Sequence, residues 1–137
     1  MIIDFRARPP TAAFNAYFQP ELVAAFGKRM GAKSVSQAYL DGSVEGFIAE
    51  MALAGVDYAV ALGRNSPAVV SGDLTLPACA IPNEEIVDLQ TGHPDQIIGF
   101  AGIDVSDHLH NALEEIDTFV VGGPLKGVFL EPQRALD

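Results

Sequence analysis

Short apolar runs alternate along the chain with longer segments in which apolar residues recur every three or four positions. That alternation is the pattern of repeated βαβ units around a parallel sheet. The first run, Ile2-Ile3-Asp4-Phe5, predicts a buried strand, and Pro9-Pro10 place a loop after it, because neither proline can sit in a central ladder. A helix is expected over 20–30, with Leu22, Ala25 and Phe26 on one side and Gly31 as its stop. A second begins at the capping residue Ser43; Val44, Phe47, Ile48, Met51 and Gly55 form its core-facing stripe and Gly55 ends it.

Residues 57–62 read as the second strand, and 63–82, rich in Gly, Pro, Ser and Asn, as a long functional or mobile connection. Asn83 is expected to cap the next helix, whose first turn carries Glu84 and Glu85 and which ends near Gly92-His93-Pro94. The third strand, 97–103, is apolar throughout, as suits a strand covered on both faces. Asp107 opens a last helix with Leu109, Ala112, Leu113, Ile116 and Val120 as its stripe, broken at Gly122-Gly123-Pro124. Residues 125–130 make the fourth strand. Four parallel strands fit an open doubly wound sheet or part of a barrel. No Gly-x-Gly-x-x-Gly or Walker-type loop follows any strand, which removes support from nucleotide-binding versions of the open sheet.

Composition narrows the function classes. With 137 residues, 49% hydrophobic and 19% charged, the chain has material for one folded domain. The formal net charge of −10 and the scattered eight Lys and Arg argue against nucleic acid, and so negative a chain needs a local positive pocket to receive an acidic substrate. No apolar run is long enough to span a bilayer, Met1-Ile2-Ile3-Asp4 does not open a signal peptide, and the single cysteine, Cys79, suits a cytoplasmic protein.

Five stretches in order resemble the amidohydrolase superfamily, in the branch related to aminocarboxymuconate-semialdehyde decarboxylase. They are Met1-Ile2-Ile3-Asp4, Met51-Ala52-Leu53-Ala54-Gly55-Val56-Asp57, Pro82-Asn83-Glu84-Glu85-Ile86-Val87, the segment from His93-Pro94-Asp95 to Gly102-Ile103-Asp104, and Lys126-Gly127-Val128-Phe129-Leu130-Glu131-Pro132. The resemblance implies an α/β fold of parallel (β/α) units like the N-terminal half of a TIM (β/α)₈ barrel. A whole barrel takes about 250 residues, so residues 1–137 are expected to be a single half-barrel domain, from a fragment or a truncated reading frame. It also implies a hydrolase or carboxy-lyase acting on a small carboxylated substrate.

The resemblance breaks where relatives carry a His-x-His metal pair at the end of strand one. Here those positions hold Arg6 and Arg8, and a guanidinium has no lone pair to give a metal. No metal site and no cofactor are therefore expected. Two guanidinium groups at a strand's C-terminal end suit a small anionic substrate held in bidentate fashion; the plainer alternative is solvation or pairing with Asp4. Strand alternation would put Asp4, Arg6 and Arg8 on the same side. Arg64 and Asn65, just after strand two, are candidates for substrate contact or for simple turn chemistry, and Glu131, ending strand four, is the candidate acid/base, or else a partner of Lys126 or Arg134.

His108 and His110 fall on a helix, where residues two apart diverge too far to share a metal, and His93 suits a helix end. Cys79 has no base beside it in sequence, so a nucleophile role is not expected. The competing reading is a catalytically inactive half-barrel that binds another copy of itself through its open edges, and a homo-oligomer is expected. A flavodoxin-like domain is the third, and strand order separates it from a barrel half.

Overall fold

The computed structural model describes residues 1–66, 68–71, 74–76, 78–105 and 109–130. Four parallel strands form the central sheet: β1 (Ile3–Ala7), β2 (Tyr58–Leu62), β7 (Ile97–Gly102) and β8 (Gly127–Phe129), side by side in that order. Each new strand joins the edge left by the last, as in a barrel wall; the order never reverses, as it does in a flavodoxin-like sheet. The α/β half-barrel expected from the sequence is the fold observed.

Between β1 and β2 lie four helices: α1 (Ala12–Tyr17), α2 (Pro20–Arg29), α3 (Gln37–Asp41) and α4 (Val44–Ala54). The α4 boundaries follow from local chemistry. The Ser43 hydroxyl accepts the Gly46 N–H at 2.9 Å, and Gly55 closes the helix at φ 71°, a conformation that side chains resist. Phe47 and Met51 of its stripe are buried. The short α1 is capped by Thr11, and its N-terminus is held from afar, since the Glu85 carboxylate accepts the Ala13 N–H at 3.1 Å. Glu85 thus serves another helix as well as the first turn of its own, α5 (Asn83–Gly92).

The 63–82 connection is not a plain loop. It contains β3 (Arg64–Ser66) paired antiparallel with β6 (Cys79–Ile81), and β4 (Val69–Ser71) paired with β5 (Leu74–Leu76). Asn65, Ser66 and Ser71, part of the content that suggested irregular chain, lie within three-residue strands. Pro82, not Asn83, takes the cap position of α5, and Asn83 is buried. In the last helix, α6 (Leu109–Ile116), Ala112 is buried as expected, but Leu113 is exposed, and a π-helical turn, Asp117–Val121, follows. The expected opening residue Asp107 lies outside the described residues.

The core lies between the helices and one face of the sheet, where Ala59, Ala61, Ile97 and Ala101 pack with Phe47, Met51, Ile86, Leu89 and Leu125. On the opposite face the third strand is only half covered: Ile98 and Phe100 are half-buried between buried neighbours, so its apolar run does not mean full cover on both faces. Expected alternation also fails in β1. Asp4 pairs with Ala59 and Ala7 with Ala61, so three steps on β1 match two on β2, a β-bulge. Ala7 is the residue that enters the core, and Asp4, Arg6 and Arg8 do not share one unbroken alternating face. Among the described residues no helix is long and apolar enough to cross a membrane.

Candidate functional site

At the C-terminal end of β1 the chain turns away beneath α1, α2 and α3, leaving a cavity of about 620 Å³. Arg6 and Arg8 line it from the strand side, and Arg64 joins them from the start of β3, two residues beyond the end of β2. Three of the sequence-predicted binding residues thus meet at one opening, at the strand ends where barrel enzymes place their chemistry. The opposite wall is apolar, built from Phe14, Phe18, Val23, Phe26 and Met30. Phe14 and Phe18, one helical turn apart, stack with ring centroids 4.8 Å apart.

Each arginine is oriented differently. Arg6 is exposed, and its backbone N–H donates to Asp4 Oδ1 at 3.0 Å. Asp4 therefore braces the bulge through the backbone as well as lining the cavity. Arg8 is half-buried, its guanidinium carbon 5.3 Å from the centre of the Phe129 ring on β8. Arg64 lies 5.9 Å from the Tyr17 ring centre and donates from Nε to Ser66 Oγ at 3.2 Å. Flat guanidinium groups over aromatic faces keep their N–H edges directed sideways, the geometry that suits carboxylate oxygens.

Tyr39 is, with Phe14 and Phe18, among the cavity residues that sequence reasoning missed. It sits on α3, whose five residues are too few to show a period. Its hydroxyl donates to the Arg8 carbonyl at 2.8 Å, tying the helix layer to the end of β1. Burial pushes its pKa up to about 12, with the charges of Asp4 and Glu50 adding and Arg8 opposing. It is thus a neutral donor at ordinary pH. Glu50 accepts the Ala38 N–H at 3.0 Å; a hydrogen bond from Ser36 and then that backbone bond hold its carboxyl below the usual range.

Asn65 does not join the arginine rim. Successive strand residues point to opposite sides, and Asn65 lines an acidic cavity of about 520 Å³ with Glu84, Asp104, Glu114 and Glu115. Arg64 and Asn65 share a small recess of about 170 Å³ beside Asn83. There the Asn83 amide holds both backbone groups of Gly102 at the end of β7: its Oδ1 accepts the Gly102 N–H at 2.8 Å and its Nδ2 donates to the Gly102 carbonyl at 3.1 Å. Gly63 and Gly102 pack backbone to backbone, and a Cβ on Gly102 would overlap the Gly63 carbonyl carbon and the Arg64 nitrogen. This contact fixes where Arg64 begins.

Glu131 and His108 lie outside the described residues. His110 is on α6, as expected, and His93 ends α5 with Nε2 3.6 Å from the exposed Glu45 carboxylate. Cys79 is buried. Among the described residues no group of three or more His, Cys, Asp or Glu is placed to hold a metal ion.

Neither a family model nor a curated protein matches this sequence. Among solved structures it is similar to an uncharacterized TIM-barrel protein from Bordetella bronchiseptica, at 25% identity with a TM-score of 0.79. The match covers 97% of this chain and 44% of that one, so the chain spans less than half the length of the barrel it resembles.

Proposed function

We propose that the arginine-rimmed cavity binds a small carboxylated substrate, and that the chain acts on it as an amidohydrolase-like hydrolase or carboxy-lyase. The observation that carries this reading is the convergence of Arg6, Arg8 and Arg64 on one cavity with an apolar far wall. In a chain of net charge −10, that rim supplies the local positive field an acidic ligand needs. A carboxylate would sit among the guanidinium edges while the rest of the molecule lay against Phe14, Phe18 and Phe26.

The reaction class rests on the five motif stretches, and the residues at the site set limits on how it would proceed. Arg6 and Arg8 offer no lone pair, so strand one cannot supply the metal ligands that His-x-His would. Tyr39 stays protonated and is engaged with the Arg8 carbonyl, which makes it a positioning residue rather than a base. Asp4 is the carboxylate among the described residues lining the cavity, and it is the described group suited to move a proton there.

Calorimetric titration with a panel of small aliphatic and aromatic carboxylates, against their uncharged amides, tests the binding. Carboxylates are expected to bind more tightly than the amides, and Arg64→Gln is expected to weaken them about tenfold, the size of one charge-assisted hydrogen bond. Equal affinity for acids and amides would refute the reading.

A further inference from the structure

We propose that the arginine-rimmed cavity takes an acid with an extended alkyl tail, and that α2 folds down over that tail when it binds; the proposal rests on the carboxylate reading above. Of the four helices between β1 and β2, α2 alone buries no residue, whereas α1 buries Phe14, α3 buries Ala38, and α4 buries Phe47 and Met51. Its start lacks a side-chain cap, since Gln19 makes no such hydrogen bond. Gly31, left-handed at φ 76°, stands just beyond its other end. The backbone bonds at both ends are local, from the Val23 N–H to the Gln19 carbonyl and from the Ala32 N–H to the Gly27 carbonyl. A helix with so few buried contacts opens at small cost in free energy.

The side that α2 turns to the cavity is apolar at helical spacing: Val23, Phe26, Gly27 and Met30 all line it. Val23 packs against the core, whereas Phe26 and Met30 are 53% and 83% exposed although they face the same space. From Val23 to Met30 the stripe runs about 10 Å along the helix, a straight wall that suits an unbranched chain. Phe14 and Phe18 complete the apolar lining. The arginines hold one end of such a molecule, and its tail gives α2 the apolar contact that the helix otherwise lacks. Taking Phe26, Met30 and the tail out of water together favours the closed helix, so binding and the ordering of α2 form one coupled step.

Calorimetry on the full chain with acetate, octanoate and octanamide tests the proposal, with hydrogen exchange and trypsin digestion as readouts that need no variant. Octanoate should bind roughly tenfold more tightly than acetate, the effect of burying two methylenes. With octanoate at about ten times its dissociation constant, α2 amides should exchange about elevenfold more slowly, because opening the helix releases the acid. Cleavage after Lys28 and Arg29, in the last turn of α2, should slow alike, and acetate at the same saturation should change neither. Phe26→Ala should bring the octanoate affinity most of the way down to that of acetate. Acids that bind without slowing exchange in α2, or acetate that protects α2 as well as octanoate does, would overturn the proposal and leave the carboxylate site standing. Octanamide binding as tightly as octanoate, or no binding by either acid, would overturn the carboxylate reading itself and the proposal with it.

Discussion

Tyr39 shows how one side chain sets the chemistry of its neighbours. Its hydroxyl holds the carbonyl of Arg8, the residue whose guanidinium lies over Phe129, while its ring packs edge-on against Phe14 and Phe47. Tyr39→Phe keeps the ring and leaves that carbonyl without its donor, so unfolding free energy should fall by about 1 kcal/mol near neutral pH. The folded protein binds the Tyr39 proton more tightly than the unfolded chain does, with a pKa of about 12 against 10.0. The stability this gives is complete below pH 10 and drains away as pH rises towards 12. Denaturant unfolding from pH 7 to 11.5 should therefore show the gap between wild type and Tyr39→Phe closing at the alkaline end. A gap that stays constant would mean the tyrosine titrates normally.

At the level of elements, the parts readable from sequence were those whose determinants are local. Ser43 and Gly55 bracket α4 because a hydroxyl cap and a left-handed residue act within one turn. Arg6 and Arg8 were recognisable from their place at the end of a strand. Asn83 was not, because its amide serves Gly102, nineteen residues away, while Pro82 takes the cap. The 63–82 segment misled for a related reason: three-residue strands such as β3 have no period of their own and depend on the partner they meet. Phe14 and Tyr39 were hidden in α1 and α3, too short for a stripe to show, whereas Phe26 of the same cavity stands in the longer α2 and in the stripe read from sequence. The Gly63–Gly102 contact is the most sensitive junction between elements. Gly102→Ala drives a Cβ into the backbone of Gly63 and Arg64, and neither strand can retreat without breaking its ladder. A loss of about 2–3 kcal/mol is expected from such overpacking, measurable by thermal or urea unfolding. A neutral outcome would show that β2 and β7 splay easily at their ends.

For the whole molecule, charge and architecture pull in opposite directions. The chain carries a net charge of −10, so its like charges repel across the fold, while the arginines at the cavity rim keep a local field of the opposite sign. Salt shortens the reach of that repulsion, from about 30 Å at 0.01 M to about 8 Å at 0.15 M. Unfolding free energy measured in urea should accordingly rise with sodium chloride over that range; a fall would point to ion pairs as the larger electrostatic contribution to the fold. The bulge in β1 bears on the same balance. An uninterrupted ladder from Asp4 and Ala59 would set Arg6 against Ala61, which has no exposed surface at all. One additional residue sends an alanine methyl into the oily layer instead and leaves two permanent cations at the rim. Deleting Phe5 would straighten the strand and leave Ala7 opposite Ala61, but it would fix Arg6 directly against Val60, on the other face of the sheet, and so take one of those cations from the rim.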